Sequence, residues 1–144
     1  MSQIPRGIRN NNPLNIKKGS PWRGQDLYGT NRESTFCVFK KPRFGFRAAF
    51  VLLRKYYNTY KLRDISGIIR RWAPETENQT RAYINTVASR VGMTPFDKLP
   101  PPSYSHMDVW VSIALAMCKV ENGQVPDCYT KEAQLGYIEM LSGK

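Results

Sequence analysis

Apolar residues recur three or four positions apart from Phe44 onward, which is the spacing of one face of an α-helix. The pattern predicts a first amphipathic helix with basic residues interspersed on its outer side. Its apolar positions are Phe46, Ala49, Phe50, Leu53, Tyr57 and Tyr60. Asp64 is expected to cap a second helix, which should end at the Ala73-Pro74 step because a residue before proline avoids the α region. The apolar stripe of this second helix is formed by Ile65, Ile68, Ile69 and Trp72.

A third helix is predicted from about Glu77 to Val91, with Gly92 suited to end it in a left-handed conformation. Its apolar face is formed by Tyr83, Ile84, Val87 and Val91. The prolines at positions 100–102 are stiff and extended, and we interpret them as an internal joint. The stretch that follows them is apolar on nearly every side, as is typical of a helix that is buried all round.

This apolar helix covers residues 109–120 and is expected to begin with a capping box formed by Ser105 and Asp108. It should end at the following residues 121–123, where Asn and Gly are typical terminators. Thr130 is expected to cap a last helix. The side chains that should face the core from this last helix are Leu135, Ile138 and Leu141.

The segment before these helices is irregular. Residues 6–43 are rich in Gly, Asn and Pro and include one alternating stretch, residues 35–39, which predicts loops with a short strand or hairpin. The fold class is therefore α+β, mostly helical. Residues 1–144 are expected to form a single domain, because this length is close to the most common domain size.

Charge points to a polyanionic partner. The chain has 22 Lys and Arg residues against 11 Asp and Glu residues, a formal net charge of +11. Nucleic acid, anionic lipid and bacterial cell wall all fit this charge. No apolar run approaches the ~18 residues of a membrane span. The first residues lack the apolar core of a signal peptide, so we expect synthesis in the cytoplasm, with any action outside depending on a pore, a virion or a secretion machine.

Glu121 is the acid with the most definite environment, because it directly follows the apolar helix and precedes a polar turn. A helix C-terminus and an apolar flank both disfavour a carboxylate, so both should raise its pKa and suit it to general acid catalysis. From position alone, a solvated residue without a chemical role stays an open alternative. The other acids in or near polar loops have the same two interpretations; they are Glu33, Glu75, Glu77 and Asp127.

Metal and nucleophile chemistry are disfavoured. His106 is the single histidine, and the three cysteines lack paired zinc spacing. We therefore expect no cofactor and no metal. Cys118 and Cys128, which flank Glu121, are expected to be buried free thiols, with a disulfide between them after export as the alternative. A catalytic centre in this chain would use carboxylates, amides and tyrosines.

Amide and aromatic side chains are common around the predicted loops and helix starts, and they include Asn10, Asn11, Asn12, Asn15, Trp22, Tyr28, Trp72, Asn78, Gln79, Tyr83 and Tyr104. Aromatic faces stack on sugar rings, and amides can both donate to and accept from hydroxyl and acetamido groups. Each residue by itself is more typical of a core or a turn than of a binding site. Their combination favours a carbohydrate site.

Several of these segments resemble peptidoglycan-cleaving families. Residues 11–17 (NNPLNIK), 22–24 (WRG) and 36–39 (FCVF) resemble motifs of flagellar-type glucosaminidases, which have a lysozyme-like fold. Residues 74–87 (PETENQTRAYINTV) resemble a conserved ending of lytic transglycosylases. Both families cleave the glycan strands of peptidoglycan, so the resemblance implies a lysozyme-like domain.

The order of the motifs implies a circular permutation. In those families the catalytic glutamate precedes the other motifs, typically as Ala-x-x-x-Glu-Ser-Gly. Here the matching segment lies near the C-terminus, at residues 116–123 (AMCKVENG), with Asn122 in place of the serine. The resemblance therefore implies a permuted lysozyme-like fold whose catalytic helix is near the C-terminus, with the prolines near the new junction.

The chain is also similar over most of its length to small phage-borne proteins described as lysozyme-like or as lytic transglycosylases. This similarity implies that Glu121 is the general acid that cleaves between N-acetylmuramic acid and N-acetylglucosamine. The substrate-binding residues that it implies are Asn11, Asn12, Trp22, Asn78, Thr80 and Tyr83. The expected partner is peptidoglycan, met in the periplasm by a monomer after release, injection or virion delivery, and no nucleic acid is expected.

Two other functions are kept as alternatives. The charge and the Arg/Lys-rich helix over residues 43–61 would fit a nucleic-acid-binding module, although no recognisable nucleic-acid motif accompanies them. A non-catalytic wall-binding or virion structural protein could keep the fold without the chemistry. The second step of the cleavage has two forms. Glu121 itself could act as the base on the muramyl hydroxyl, which gives the anhydro product of a lytic transglycosylase. If Glu33 or another acid approaches Glu121, water could be the acceptor and the enzyme would be a hydrolase.

Overall fold

The computed structural model describes residues 3–143, and within that range the protein is mostly helical. Residues 1, 2 and 144 of the predicted single domain lie outside the described part. The α-helices are α1 (Arg6–Arg9), α2 (Leu27–Arg32), α3 (Pro42–Asn58), α4 (Ile65–Trp72), α5 (Glu77–Val91), α6 (Met107–Asn122) and α7 (Tyr129–Ser142). A short 3₁₀ helix, Tyr104–His106, directly precedes α6.

Helices α3, α6 and α7 build the core. Helix α3 packs along α7, and α6 lies against both α5 and α7. Phe50 of α3 packs edge-on against Tyr137 of α7, with ring centroids 5.0 Å apart. Trp110 of α6 is completely buried, so the most apolar helix of the sequence is central to the fold, as predicted.

Local signals in the sequence placed the middle helices correctly. Asp64 caps α4 by accepting a hydrogen bond from the backbone N–H of Gly67, and the helix ends before Pro74. Helix α5 has the predicted bounds and ends at Gly92, whose φ of 82° is left-handed. The apolar face predicted for α3 is buried except for Tyr60, which lies beyond the end of the helix and is exposed.

The prediction of a strand or hairpin at residues 35–39 was wrong. In the described chain this region makes two isolated bridges, Lys17 with Phe36 and Gln25 with Phe39. The buried side chain of Asn12 connects these segments in place of the backbone hydrogen bonds of a β-ladder. Its Nδ2 group donates to the carbonyls of Ile16 and Cys37, and its Oδ1 atom accepts from the N–H of Ile16. The N-terminal part therefore contributes loops and two short helices.

Both predicted caps in the C-terminal half were wrong. Helix α6 begins at Met107 without a side-chain cap, and α7 begins at Tyr129, so Thr130 lies inside it. The predicted inner face of α7 was rotated. Its buried residues are Tyr129, Ala133, Gly136, Tyr137 and Met140, whereas Leu135 and Leu141 are half-buried and Ile138 is exposed.

The proline segment is firmly attached to the core. Three side chains donate hydrogen bonds to carbonyls of this segment: Tyr57 to Leu99, Trp110 to Pro100 and Tyr137 to Ser103. These bonds span up to 42 residues of sequence, so they tie the two halves of the chain together. Among residues 3–143, no helix is both long enough and apolar enough to cross a membrane.

Residues 10–26, which follow α1 and which we call the N-terminal loop, lie beside the end of α6 where Gly7 of α1 packs closely against both. A Cβ at this position would lie 2.5 Å from Oδ1 of Asn122 and 2.8 Å from the backbone oxygen of Asn12. The side chain of Asn122 in turn donates to the carbonyl of Pro13 at 2.8 Å. The loop is thereby fixed against the helix turn that carries Glu121.

Candidate active site

Glu121 lies in the last turn of α6, which continues to Asn122 and ends at Gly123 with a φ of 76°. Both carboxylate oxygens accept a hydrogen bond from a distant part of the chain. Asn15 donates from Nδ2 to Oε1 at 2.9 Å, and Tyr83 donates from its hydroxyl to Oε2 at 3.0 Å. The N-terminal loop and α5 therefore hold the carboxyl group of α6 from two sides.

The pKa of Glu121 is raised, as the sequence predicted. Burial is the largest cause, because it disfavours the charged carboxylate. The hydrogen bonds from Asn15 and Tyr83 act in the opposite direction, and the nearby charge of Glu75 raises the pKa further. The net effect keeps a proton on Glu121 to higher pH than on an ordinary glutamate, as a general acid requires.

Tyr83 is a permanent hydrogen-bond donor in this site. Tyr83 is 8% exposed, and burial together with the negative charge of Glu121 raises its pKa far above that of an ordinary tyrosine. The phenol therefore keeps its proton and donates a hydrogen bond to the carboxyl group of Glu121. Its position follows from the apolar face of α5, where Ile84 and Val87 are also buried.

A cavity of about 360 Å³ opens beside Glu121, and we call it the glutamate cavity. It is lined by Ala73, Glu75, Gln79, Thr80, Ala82, Tyr83, Thr86, Val120 and Glu121. The hydroxyl of Thr80 donates to the carbonyl of Ala73 at 2.8 Å and thereby joins the start of α5 to the end of α4. Glu75 is exposed in the same wall, which brings a second carboxylate to this cavity.

A second cavity of about 280 Å³ has Asn15 in its wall, and we call it the tryptophan cavity. It is lined by Asn15, Ile16, Lys17, Lys18, Gly19, Ser20, Trp22, Leu52, Tyr56 and Trp72. The rings of Tyr56 and Trp72 meet edge-on with centroids 6.0 Å apart. Among the described residues, the buried Nε1 of Trp22 has no hydrogen-bond partner. This cavity offers both aromatic faces and an unused N–H donor.

The structure brings four of the seven predicted site residues to these cavities. Glu121, Thr80 and Tyr83 line the glutamate cavity, and Trp22 lines the tryptophan cavity. The prediction for Asn12 was wrong, because its amide is fully buried and used within the N-terminal loop. Asn11 donates to the carbonyl of Phe39, and Asn78 is exposed; neither lines either cavity.

Asn15, Gln79 and Glu75 also belong to the site. The sequence named them among its candidate amides and acids, but the implied substrate-binding set did not include them. Asn15 has a φ of 54°, a left-handed conformation that asparagine tolerates better than most residues. That conformation belongs to the turn that begins at Asn12, whose carbonyl accepts from the N–H of Asn15. The neighbouring cysteines are free: Cys118 is buried as expected, whereas Cys128 is exposed.

We expect Tyr83→Phe to raise the pKa of Glu121 above its value in the wild type. Removal of the hydroxyl takes away a hydrogen-bond donor that favours the charged carboxylate, so the carboxyl group should keep its proton to higher pH. A carbon-13 NMR titration of the Glu121 side chain in both proteins would measure this shift. Tyr104→Phe, at an exposed tyrosine, should leave the Glu121 titration unchanged.

The chain is similar in sequence to a phage protein. It is 42% identical over 133 residues to "Protein P5" of Pseudoalteromonas phage PM2, and the matched segment covers 90% of this chain and 78% of that protein. The chain matches no family model.

Proposed function

The chain belongs to the same family as Protein P5 of Pseudoalteromonas phage PM2, and we propose that it cleaves peptidoglycan glycan strands with Glu121 as the general acid. The bond is the one between N-acetylmuramic acid and N-acetylglucosamine. The name of the relative states no activity, so the proposal depends on the site itself. A phage origin of the relative fits a protein that must open a bacterial wall.

The observation that carries the proposal is the environment of Glu121. A carboxyl group with a raised pKa borders a cavity of about 360 Å³ and is held by two hydrogen bonds from other elements. Structural glutamates are usually charged and solvated or ion-paired. A partly buried acid without a cationic partner, oriented beside an open cavity, is instead typical of an acid catalyst.

In the first step, protonated Glu121 donates its proton to the glycosidic oxygen, and the bond from that oxygen to the muramyl C1 breaks. The departing N-acetylglucosamine leaves with a free hydroxyl. Charge develops on Glu121 during this transfer. Asn15 and Tyr83 are positioned to stabilise that charge, because each donates to one of the two carboxylate oxygens.

The second step has two forms, which differ in the group that attacks C1. In a lytic transglycosylase, the Glu121 carboxylate accepts the proton of the muramyl 6-hydroxyl as that oxygen attacks C1, which gives an anhydro product. In a hydrolase, a second carboxylate activates water. Glu75 is the acid available for that role, since it lines the same cavity. Glu33 accepts instead from Asn10 and lines neither cavity.

A permuted lysozyme-like fold is part of the same proposal. It is supported by the placement of Glu121 on a central helix near the C-terminus, where the Ala-x-x-x-Glu motif of the resembled families would require it. A circular permutation joins the original N- and C-termini and opens the chain elsewhere. A fold tolerates this change when the original termini lie close together on the surface. The mostly helical architecture is compatible with this origin.

The net charge of +11 fits the same substrate. Peptidoglycan carries carboxylates, and long-range attraction would concentrate a basic enzyme at the wall. We therefore propose that the protein acts on the wall from the periplasmic side after release, injection or virion delivery. The same charge would serve a nucleic-acid-binding protein, so the assay of function must measure products.

The proposal predicts specific products from purified sacculi. Wild-type protein should release soluble muropeptides, and mass spectrometry should identify their ends. Anhydro-muramyl ends in the products of the wild type, together with unchanged activity of a Glu75→Gln variant, would indicate a lytic transglycosylase. Reducing ends that disappear in Glu75→Gln would indicate a hydrolase with two carboxylates. Sedimentation with sacculi and no released fragments would support a wall-binding protein, and steeply salt-dependent DNA binding without lysis would support a nucleic-acid module.

A further inference from the structure

A groove of about 850 Å³ opens between the end of α3 and the outer side of α4, and we call it the arginine groove. The part of its wall that the described residues form contains two arginines, Arg70 and Arg71, and no acid. Leu62 and Pro74 supply apolar surface in the same wall. The groove therefore combines positive charge with apolar contact area, and the proposed cleavage of the glycan does not use it.

The two arginines of the groove differ in their partners. Arg70 donates to both carboxylate oxygens of Glu77, at 3.0 and 3.3 Å, and Arg81 donates to the same carboxylate. Arg71 makes no ion pair with any residue between positions 3 and 143. The positive charge of Arg71 is therefore left for a group outside the chain.

Aromatic rings hold the side chain of Arg71 in place. The central carbon of its guanidinium lies 3.7 Å from the ring centroid of Tyr60 and 5.4 Å from that of Tyr56. Arg71 also hydrogen-bonds to the hydroxyl of Tyr56. A guanidinium stacked on a ring keeps N–H donors at its edge, and a planar carboxylate can accept two of them in parallel. Because the rings already orient the side chain, binding costs it little further conformational freedom.

The stacking argues against single-stranded nucleic acid as the occupant. Proteins bind such strands with free aromatic faces, on which successive bases stack, beside a continuous basic groove. Here both Arg71 and Lys55 lie over the ring of Tyr60. Glu77 also neutralises part of the charge next to Arg71, so the groove offers one isolated oxyanion site and no basic track.

We propose that Arg71 binds a free carboxylate of a peptidoglycan stem peptide in the arginine groove and thereby anchors the protein to the wall. This inference rests on the proposed function. The lactyl carboxyl group of the muramyl residue is bonded to the stem peptide, so the free carboxylates of the wall lie along the peptide itself. The apolar surface of Leu62 and Pro74 would contact the rest of the peptide. The groove thus recognises the peptide, whereas Glu121 acts on the glycan.

Sedimentation with purified sacculi tests this anchor in the full-length Glu121→Gln protein, which binds without turnover. One batch of sacculi is intact. In the other batch, the carboxylates are converted to amides with a carbodiimide and excess methylamine, which removes their charge and keeps the peptides. The intact sacculi should bind more tightly, because both the anchor and the general attraction of a basic protein favour them.

Two variants of equal net charge separate the anchor from the general attraction. In the Glu121→Gln background, Arg71→Gln should bind intact sacculi about 3- to 10-fold more weakly than Arg90→Gln, an exposed arginine outside the groove. On amidated sacculi the two variants should bind equally. Arg71→Lys keeps the charge but lacks the planar fork, so it should also bind intact sacculi more weakly than Arg90→Lys.

Three outcomes would overturn the anchor. Equal binding of Arg71→Gln and Arg90→Gln to intact sacculi would leave only general attraction. An equal loss by Arg71→Gln on intact and amidated sacculi would exclude carboxylates as the ligand. A loss confined to a fluorescein-labelled single-stranded DNA would assign the groove to nucleic acid. Each can coexist with muropeptide release by the wild type, which would retain the proposed function. Binding that depends on Arg71 without any muropeptide release would instead keep the anchor and reject the catalytic proposal.

Discussion

Replacement of Glu121 by glutamine should lower the rate of muropeptide release from purified sacculi by about 10²- to 10⁴-fold, which is the range that a general acid contributes. Glutamine has nearly the same shape as glutamic acid but has no proton to donate to the glycosidic oxygen. Its carbonyl can still accept from the hydroxyl of Tyr83, so the variant should fold. Mass spectrometry of the soluble fraction over time measures the rate directly.

Two controls separate chemistry from folding and binding. Circular dichroism and thermal unfolding should show a native Glu121→Gln protein, and that protein should still sediment with sacculi. Glu33→Gln removes another candidate acid that lines neither cavity, and it should remain active. If Glu121→Gln releases fragments as fast as the wild type, Glu121 is not the acid and the proposed mechanism is wrong.

The sequence predicts most of the helices because their signals are local. The spacing of apolar residues in α3, the cap at Asp64 and the glycine after Val91 each lie within a few residues of the boundary that they determine. Glu121 could be selected for a related reason, since its apolar helix is recognisable by itself. Its raised pKa then follows from burial at the end of that helix.

The remaining site residues depend on contacts that no local pattern encodes. The hydrogen bond from Asn15 to Glu121 joins residues 106 positions apart, and that from Tyr83 joins residues 38 apart. Asn12 and Asn15 belong to the same asparagine-rich loop, yet the amide of Asn12 stabilises the loop and the amide of Asn15 donates to the carboxyl group of Glu121. Only the folded path of the loop distinguishes these two roles.

Helix α7 shows how packing overrides a simple count of apolar residues. Its larger aliphatic side chains predicted one inner face, whereas the structure buries a face that contains Ala133 and Gly136. A Cβ on Gly136 would lie 2.7 Å from the backbone oxygen of Arg43, so the small residue allows α3 to approach closely. This close approach of the two helices therefore requires the absence of a side chain, which hydrophobic periodicity does not detect.

The same interface predicts the largest effect on stability, which we expect from Phe50→Ala. Phe50 is 1% exposed and packs against Phe46 and Tyr137, with ring centroids 6.5 and 5.0 Å away. Truncation of a buried phenylalanine leaves a cavity and lowers the free energy of unfolding by about 3–5 kcal/mol. This loss is a large part of the roughly 5–15 kcal/mol by which a domain is stable. The melting temperature of the variant should therefore fall by roughly 10–20 °C.

Phe96→Ala is the matched control for this prediction, because it removes the same side chain at a position that is 75% exposed. It should change the free energy of unfolding by less than about 0.5 kcal/mol. Urea unfolding followed by circular dichroism measures both variants. Equal stability of Phe50→Ala and Phe96→Ala would mean that α3 and α7 do not share the core. Helix α3 also packs closely against the loop that brings Asn15 to Glu121, because a Cβ at Gly45 would collide with the backbone oxygen of Asn11.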